Sequence, residues 1–117
     1  MLTSILIVLV ALVHFYFLVL EMFRWEAPRT RKVFGTTPEF AAESKVMAAN
    51  QGLYNGFLAT GLLYGLALNI GDGQMVGFLL LCVIVAGVYA AMCGIKAALY
   101  VQSAPATLAL IALLLNI

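Results

Sequence analysis

From Val46 to Ile117 the chain carries only two charged side chains, Asp72 and Lys96. They divide that stretch into three apolar runs, at about 46–68, 75–93 and 98–116. A fourth run, at about 2–23, precedes them and holds a single carboxylate, Glu21. A helix needs about 20 residues to cross a bilayer. The pattern therefore predicts an all-α membrane protein, a four transmembrane helix bundle forming one integral membrane domain over 1–117. Composition agrees, with 65% hydrophobic and 9% charged residues and a mean hydropathy of +1.10, against about 45–50% and 25% in soluble domains. This balance excludes a water-soluble globule, a disordered segment and a nucleic-acid binder. The first run lacks the basic flank and small-residue cleavage site of a secretory signal, so it is expected to be retained.

Charge is concentrated in one connection. Arg24, Arg29, Arg31, Lys32 and Lys45 lie between the first and second runs, with Glu26, Glu39 and Glu43 among them. The remaining base, Lys96, lies between the third and fourth. Connections one and three of a four-span chain share a side, so the positive-inside rule makes both cytoplasmic. The termini and Asp72 then face the opposite side. Within the first connection, at 24–45, Thr37 reads as a helix cap, Pro38 as the first helical residue and Glu39 as a complement to the dipole. The second helix is thus expected to begin near Pro38, to enter the membrane near Val46 and to end near Leu68, leaving a loop at 24–37. The polar, Gly-rich 69–74 segment is a turn, and Pro105 is expected to disturb the start of the fourth helix. Cys82 and Cys93 are about 16 Å apart along one helix, too far to be bridged. They read as small buried hydrophobes.

Polar groups at membrane depth are costly and mark candidate sites. His14 and Glu21 share a helical face about 10.5 Å apart, which forbids a direct hydrogen bond between them. The structural alternatives are an interfacial Glu21–Arg24 pair and a His14 that bonds another helix. In the second helix Glu43, Asn50, Tyr54, Phe57 and Gly61 form one stripe, flanked by Gln51 and Asn55, and this face is expected to point inward. Gly52, Gly56 and Thr60 form a small-residue seam opposite it, and Gly87, Ala90, Ala91 and Gly94 form another in the third run. Two seams exceed what one compact bundle needs, so a homo-oligomer is expected, with one seam internal and one between protomers. Trp25 reads as an interfacial anchor. The chain has no phosphate-binding Gly-rich loop, zinc-spaced His–Glu pair, CxxC or serine elbow, so no metal and no cofactor is expected.

The ordered set His14, Glu21-Met22-Phe23, Trp25, Pro28-Arg29, Lys32-Val33-Phe34-Gly35, Pro38 to Glu43 and Ala49 to Phe57 closely resembles the domain-of-unknown-function family 1304. The resemblance continues weakly into Gln102 and Pro105-Ala106, and so covers nearly the whole chain. It implies a small bacterial inner-membrane protein with four spans, and no established activity. A more distant likeness is to the membrane-associated proteins in eicosanoid and glutathione metabolism, four-helix chains with a polar loop after the first span. Asn50 and Asn55 stand where their signature has Asn and Glu, but its arginines are absent here. Small multidrug transporters are of similar length, with a mid-membrane glutamate where Glu21 lies near the edge.

The expected site is a pocket opening toward the cytoplasmic leaflet, lined by His14, Glu21, Glu43, Asn50, Gln51, Tyr54 and Asn55, with Phe15, Phe17 and Phe57 as its apolar part. Its expected role is to bind or transport a small amphiphilic or lipid-like molecule, so that the partners are the bilayer, that ligand and a second copy of the chain. One alternative is an enzyme acting on a lipophilic substrate, with Glu21 or Glu43 as acid/base, His14 as its partner and Tyr54 as proton donor. Another is a structural subunit whose polar cluster holds helices together.

Overall fold

A computed structural model describes all of residues 1–117. The chain is helical throughout, with α1 at Leu2–Phe23, α2 at Pro28–Phe34, α3 at Pro38–Leu68, α4 at Gln74–Met92 and α5 at Ala104–Leu115; a π-helical segment, Leu99–Ser103, leads into α5. By length and composition α1 and α4 are apolar enough to cross a membrane. The α3 start follows its sequence: the Phe40 N–H donates to Thr37 Oγ1 at 3.1 Å, and Pro38 occupies the first turn. The 24–37 connection is not wholly a loop. Pro28 opens α2 and Gly35, at φ +69°, closes it, the Pro-first, Gly-last arrangement that short helices favour. The expected disturbance at Pro105 takes the form of the π segment, where the Ala104 N–H reaches back five residues to the Leu99 carbonyl. A proline ring clashes with the carbonyl four residues before it, and the wider turn accommodates the ring.

Packing closes the four long helices into a ring: α1 lies against α3 and α5, and α4 against α3 and α5. Each contributes a narrow stripe at helical spacing. Ile7, Val10, Ala11, Leu62, Val76, Leu80, Val83, Ala106 and Ala109 form the core between them. Small residues bring α1 and α3 together. A methyl group added at Gly52 would sit 2.8 Å from Met22 Cγ and 3.3 Å from the Leu18 carbonyl oxygen. The second seam is used within the chain as well, since a Cβ at Gly87 would collide with Ser103 Oγ. Thr60 and Gly94 are exposed and take no part in either seam. Both close approaches are therefore consumed inside one protomer, which removes the packing argument that called for a second copy.

The two ends of the ring differ. At one end, Val33 and Phe34 of α2 share a small cavity with Ile95, Ala97 and Ala98, so the first and third connections, and with them every Lys and Arg, lie together. At the other end, the Leu2 N–H donates to the Ile117 carbonyl at 3.0 Å. Large apolar side chains cover the outside of all four long helices, among them Leu12, Phe57, Phe78 and Leu108, each more than half exposed. Cys82 and Cys93 belong to that outer surface. The expectation that they are buried is corrected: the inward positions of α4 fall at Val76, Leu80, Val83 and Gly87, and neither cysteine shares that phase.

Candidate functional site

Glu21 lies in the last turn of α1 and falls on the stripe that faces α3. Its side chain is 2% exposed. The Asn55 side-chain amide of α3 donates to Glu21 Oε1 at 2.6 Å, short enough for a charge-assisted bond. Gln51, one turn earlier on α3, lies beside the same carboxyl. Oε2 is buried and has no partner. The alternative Glu21–Arg24 pair is not formed, because the carboxyl is drawn inward. The ion pair that does form joins Lys45 to Glu26 at 3.2 Å.

The carboxyl borders a cavity of about 330 Å³. Its polar lining is Glu21, Gln51, Tyr54, Asn55 and Gln102, and its apolar lining includes Phe17, Leu58, Ala86 and Ala90. Phe34 of α2 closes the end nearest the basic connections. Three helices of the ring, the π segment and the short helix thus contribute. Close contacts between α3 and α4 lie near their turn, where added methyls at Gly61 and Gly65 would meet Leu79 and Val76. Farther from the turn, Tyr54 and Leu58 face Ala86 and Ala90 across the cavity. The alanines matter because larger side chains would fill it. Tyr54 stacks edge-on with Phe57, ring centres 5.8 Å apart.

Of the seven residues expected to line the pocket, Glu21, Gln51, Tyr54 and Asn55 do so. His14 is 1% exposed but lies behind the cavity. Its Nδ1 donates to the Val10 carbonyl at 2.8 Å, its ring meets Phe17 edge-on at 5.7 Å, and Gln102 lies beside it. Gln102 therefore lies beside His14 and also lines the cavity that Glu21 borders. Glu43 and Asn50 lie outside the cavity and are exposed, which corrects the inward stripe. The inward positions of α3 are Ala41, Ala48, Gly52, Gly56, Ala59, Leu62 and Gly65, the small side of the helix. Helical phase explains the outcome, since Glu43 stands two residues, about 200°, from Ala41, and Asn50 the same from Ala48 and Gly52. Trp25 Nε1, in the connection after α1, donates to Ser44 Oγ at 3.0 Å, so Glu43 stands level with that connection. Asn50 lies on α3 between that level and the level of Glu21.

Phe15 packs against the core rather than the cavity, and Phe57 is mostly exposed. The lining residues that sequence reasoning did not place there are Phe34, Leu58, Ala86, Ala90 and Gln102. Only Gln102 left a signal, as the one amide in the interior of the fourth run.

The family model described as "Protein of unknown function (DUF1304)" matches residues 8–114 of the chain. The chain is also 36% identical, over 112 residues, to the uncharacterized protein YpaA of Lactococcus lactis subsp. lactis (strain IL1403), covering 94% of each sequence. No solved structure matches.

Proposed function

Because the chain belongs to the DUF1304 family of unknown function, relatives supply no activity, and we propose from the site alone that it binds a small amphiphile within a four-span bundle. The four long helices cross the membrane, with the basic connections on the cytoplasmic side of a bacterial inner membrane. Two features support the bilayer. Exposed apolar side chains encircle the ring, and in water such a surface would drive association. In addition, α3 is about 46 Å long at 1.5 Å per residue. That exceeds a hydrocarbon core of about 30 Å, which lets Glu43 sit in water while Leu53 to Leu68 lie among lipid.

The observation that carries the ligand reading is the buried, unpartnered Glu21 Oε2 on the wall of the cavity. A buried acceptor without a donor costs about 1–3 kcal/mol, a cost the fold would not bear without use. The head of the ligand supplies that donor. Gln51, Gln102 and Tyr54 orient it, and Phe17, Phe34 and Leu58 hold its apolar part. No Lys or Arg lines the cavity, so an anionic head finds no counter-charge and an ammonium or hydroxyl head is preferred. The enzyme reading gains less support, since His14, the partner it assigns to Glu21, lies outside the cavity with its Nδ1 engaged by Val10.

The test uses the protein in mild detergent and two matched probes, octylammonium and octanoate, read by native mass spectrometry. Octylammonium is expected to be retained, and both Glu21→Gln and the cavity-filling Ala90→Phe are expected to reduce it. Equal retention of octanoate, or octylammonium retention unchanged in both variants, refutes the reading.

A further inference from the structure

A second cavity, of about 560 Å³, lies on the outward side of α1 near its C-terminal end. It is bounded by Tyr16, Val19, Arg24, Arg29, Thr30 and Val33, and shares no residue with the Glu21 cavity. Thr30 is 1% exposed, and its hydroxyl has no partner. Buried threonines in helices usually return that hydroxyl to a carbonyl one turn back. Here the donor is left free beside two arginines. Neither Arg24 nor Arg29 forms an ion pair or a side-chain hydrogen bond, because the carboxylate of Glu26, the nearest acid in sequence, pairs with Lys45, and its main-chain carbonyl accepts from Arg31 Nε. Two unneutralised guanidinium groups and a buried hydroxyl are donors without acceptors, the complement of a phosphate.

Below this polar corner the outer face of α1 is a continuous apolar strip. Val19, Tyr16, Leu12, Leu9 and Ile5 are all exposed and succeed one another at steps of three and four, on a single helical face. The strip is about 21 Å long at 1.5 Å per residue, longer than one leaflet's share of a hydrocarbon core of about 30 Å. A free phosphate has no use for such a strip, whereas an acyl chain does.

We propose that this corner is a binding site for an anionic phospholipid of the cytoplasmic leaflet. Arg24 and Arg29 hold the phosphate, the Thr30 hydroxyl donates to one of its oxygens, and an acyl chain lies along Val19, Tyr16 and Leu12. A zwitterionic choline head brings a cation to the two arginines and is disfavoured. The site rests on the bilayer reading above, but not on the Glu21 cavity or its ligand.

The experiment titrates the purified full chain in detergent with phosphatidylglycerol, phosphatidylcholine of the same acyl chains, or inorganic phosphate, and counts retained adducts by native mass spectrometry. Phosphatidylglycerol is expected to be retained at least about fivefold over phosphatidylcholine, and removing both basic groups by Arg24→Gln with Arg29→Gln to lower it by roughly tenfold or more. The equal charge change Lys32→Gln with Lys96→Gln is expected to leave it unchanged, and Thr30→Val to lower it severalfold. Should the double Gln variant not fold, Arg24→Lys with Arg29→Lys keeps the charge, removes the planar fork and is expected to weaken retention. Equal retention of the two lipids, an equal loss in the Lys32/Lys96 variant, or displacement of the lipid by inorganic phosphate alone overturns the site. Extraction of the chain from cell membranes by alkaline carbonate would instead overturn the bilayer reading on which it rests.

Discussion

Gly52 and Gly56 sit one turn apart on α3 and look interchangeable, yet their replacement by Ala should have opposite consequences. In either case the helix gains about 1 kcal/mol from losing a glycine. At Gly56 the new methyl would meet only the Leu18 side chain, first at its Cδ1 tip, and a rotamer change removes the contact. The net effect of Gly56→Ala is therefore near zero or slightly stabilising. At Gly52 the methyl would lie 3.0 Å from Glu21 Cβ and 3.3 Å from the Leu18 carbonyl oxygen. These atoms belong to the α1 backbone or are fixed to it, so the two helices must separate. Overpacking costs about 1–3 kcal/mol, and a contact with main-chain atoms that cannot rotate away belongs to the upper half of that range, about 2–3 kcal/mol, which leaves a net loss of about 1–2 kcal/mol after the propensity gain. A difference of this size changes the folded-to-unfolded ratio by roughly 5–30-fold. SDS titration of the micellar protein, followed by circular dichroism, measures it. Gly52→Ala should unfold at a clearly lower SDS fraction than the parent chain, and Gly56→Ala at an unchanged or higher one. If Gly52→Ala matches the parent, or Gly56→Ala is the more damaging, the α1–α3 packing described above is wrong.

Asn55→Ala removes the donor to Glu21 Oε1 and leaves only Gln51 beside the carboxyl, and the loss should shrink in a Glu21→Gln background; a cycle of the two changes should give a coupling of about 0.6–1.7 kcal/mol, and a coupling of zero would refute the bond. Gly87→Ala should destabilise through Ser103, and Ser103→Ala should restore part of the loss in the same SDS titration, because a second contact, the Ala98 carbonyl at 3.1 Å, remains. For topology, a cysteine placed at Thr36 in a Cys82→Ala, Cys93→Ala background should react with an impermeant thiol reagent only after the cells are lysed. Labelling in intact cells would reverse the orientation.

Helix positions were legible because their signals are local. The Thr37-Pro38 cap and the charge-free runs need no knowledge of partners, and α3 and α4 begin and end within a residue or so of the expected limits. The buried face of α3 was not legible in the same way. In a soluble helix, polarity marks the outside and apolar bulk the inside. Here Gly52, Gly56 and Ala59 mark the inside because they permit close approach, while Leu53 and Phe57, far more apolar in bulk, stay outside. Reading Glu43 and Asn50 as inward assumed that every polar group on α3 lies at membrane depth. The Trp25–Ser44 bond places the first turns of the helix level with the connection instead. The Glu21–Asn55 pair joins residues 34 apart in sequence, and no spacing rule within one helix could select Asn55 over Gln51 as the donor. Phe34 escaped notice as a lining residue because its role depends on α2 folding back over the ring.

The π segment ahead of α5 sets the rotational phase between two surfaces that must both be met. On its near side Ala98 and Ser103 press against Gly87; on its far side Ala106, Ala109 and Ala112 turn toward the core. Each residue advances an α-helix by about 100°. Deleting one residue between Leu99 and Ser103 would turn one of these faces away from its partner, whereas the same deletion in a loop would cost little. The segment acts as an angular coupling whose length is quantised, so insertions and deletions among relatives should avoid it and gather in the 69–73 turn. In the same way it holds Gln102 at the bearing where one amide can serve His14 and the Glu21 cavity together.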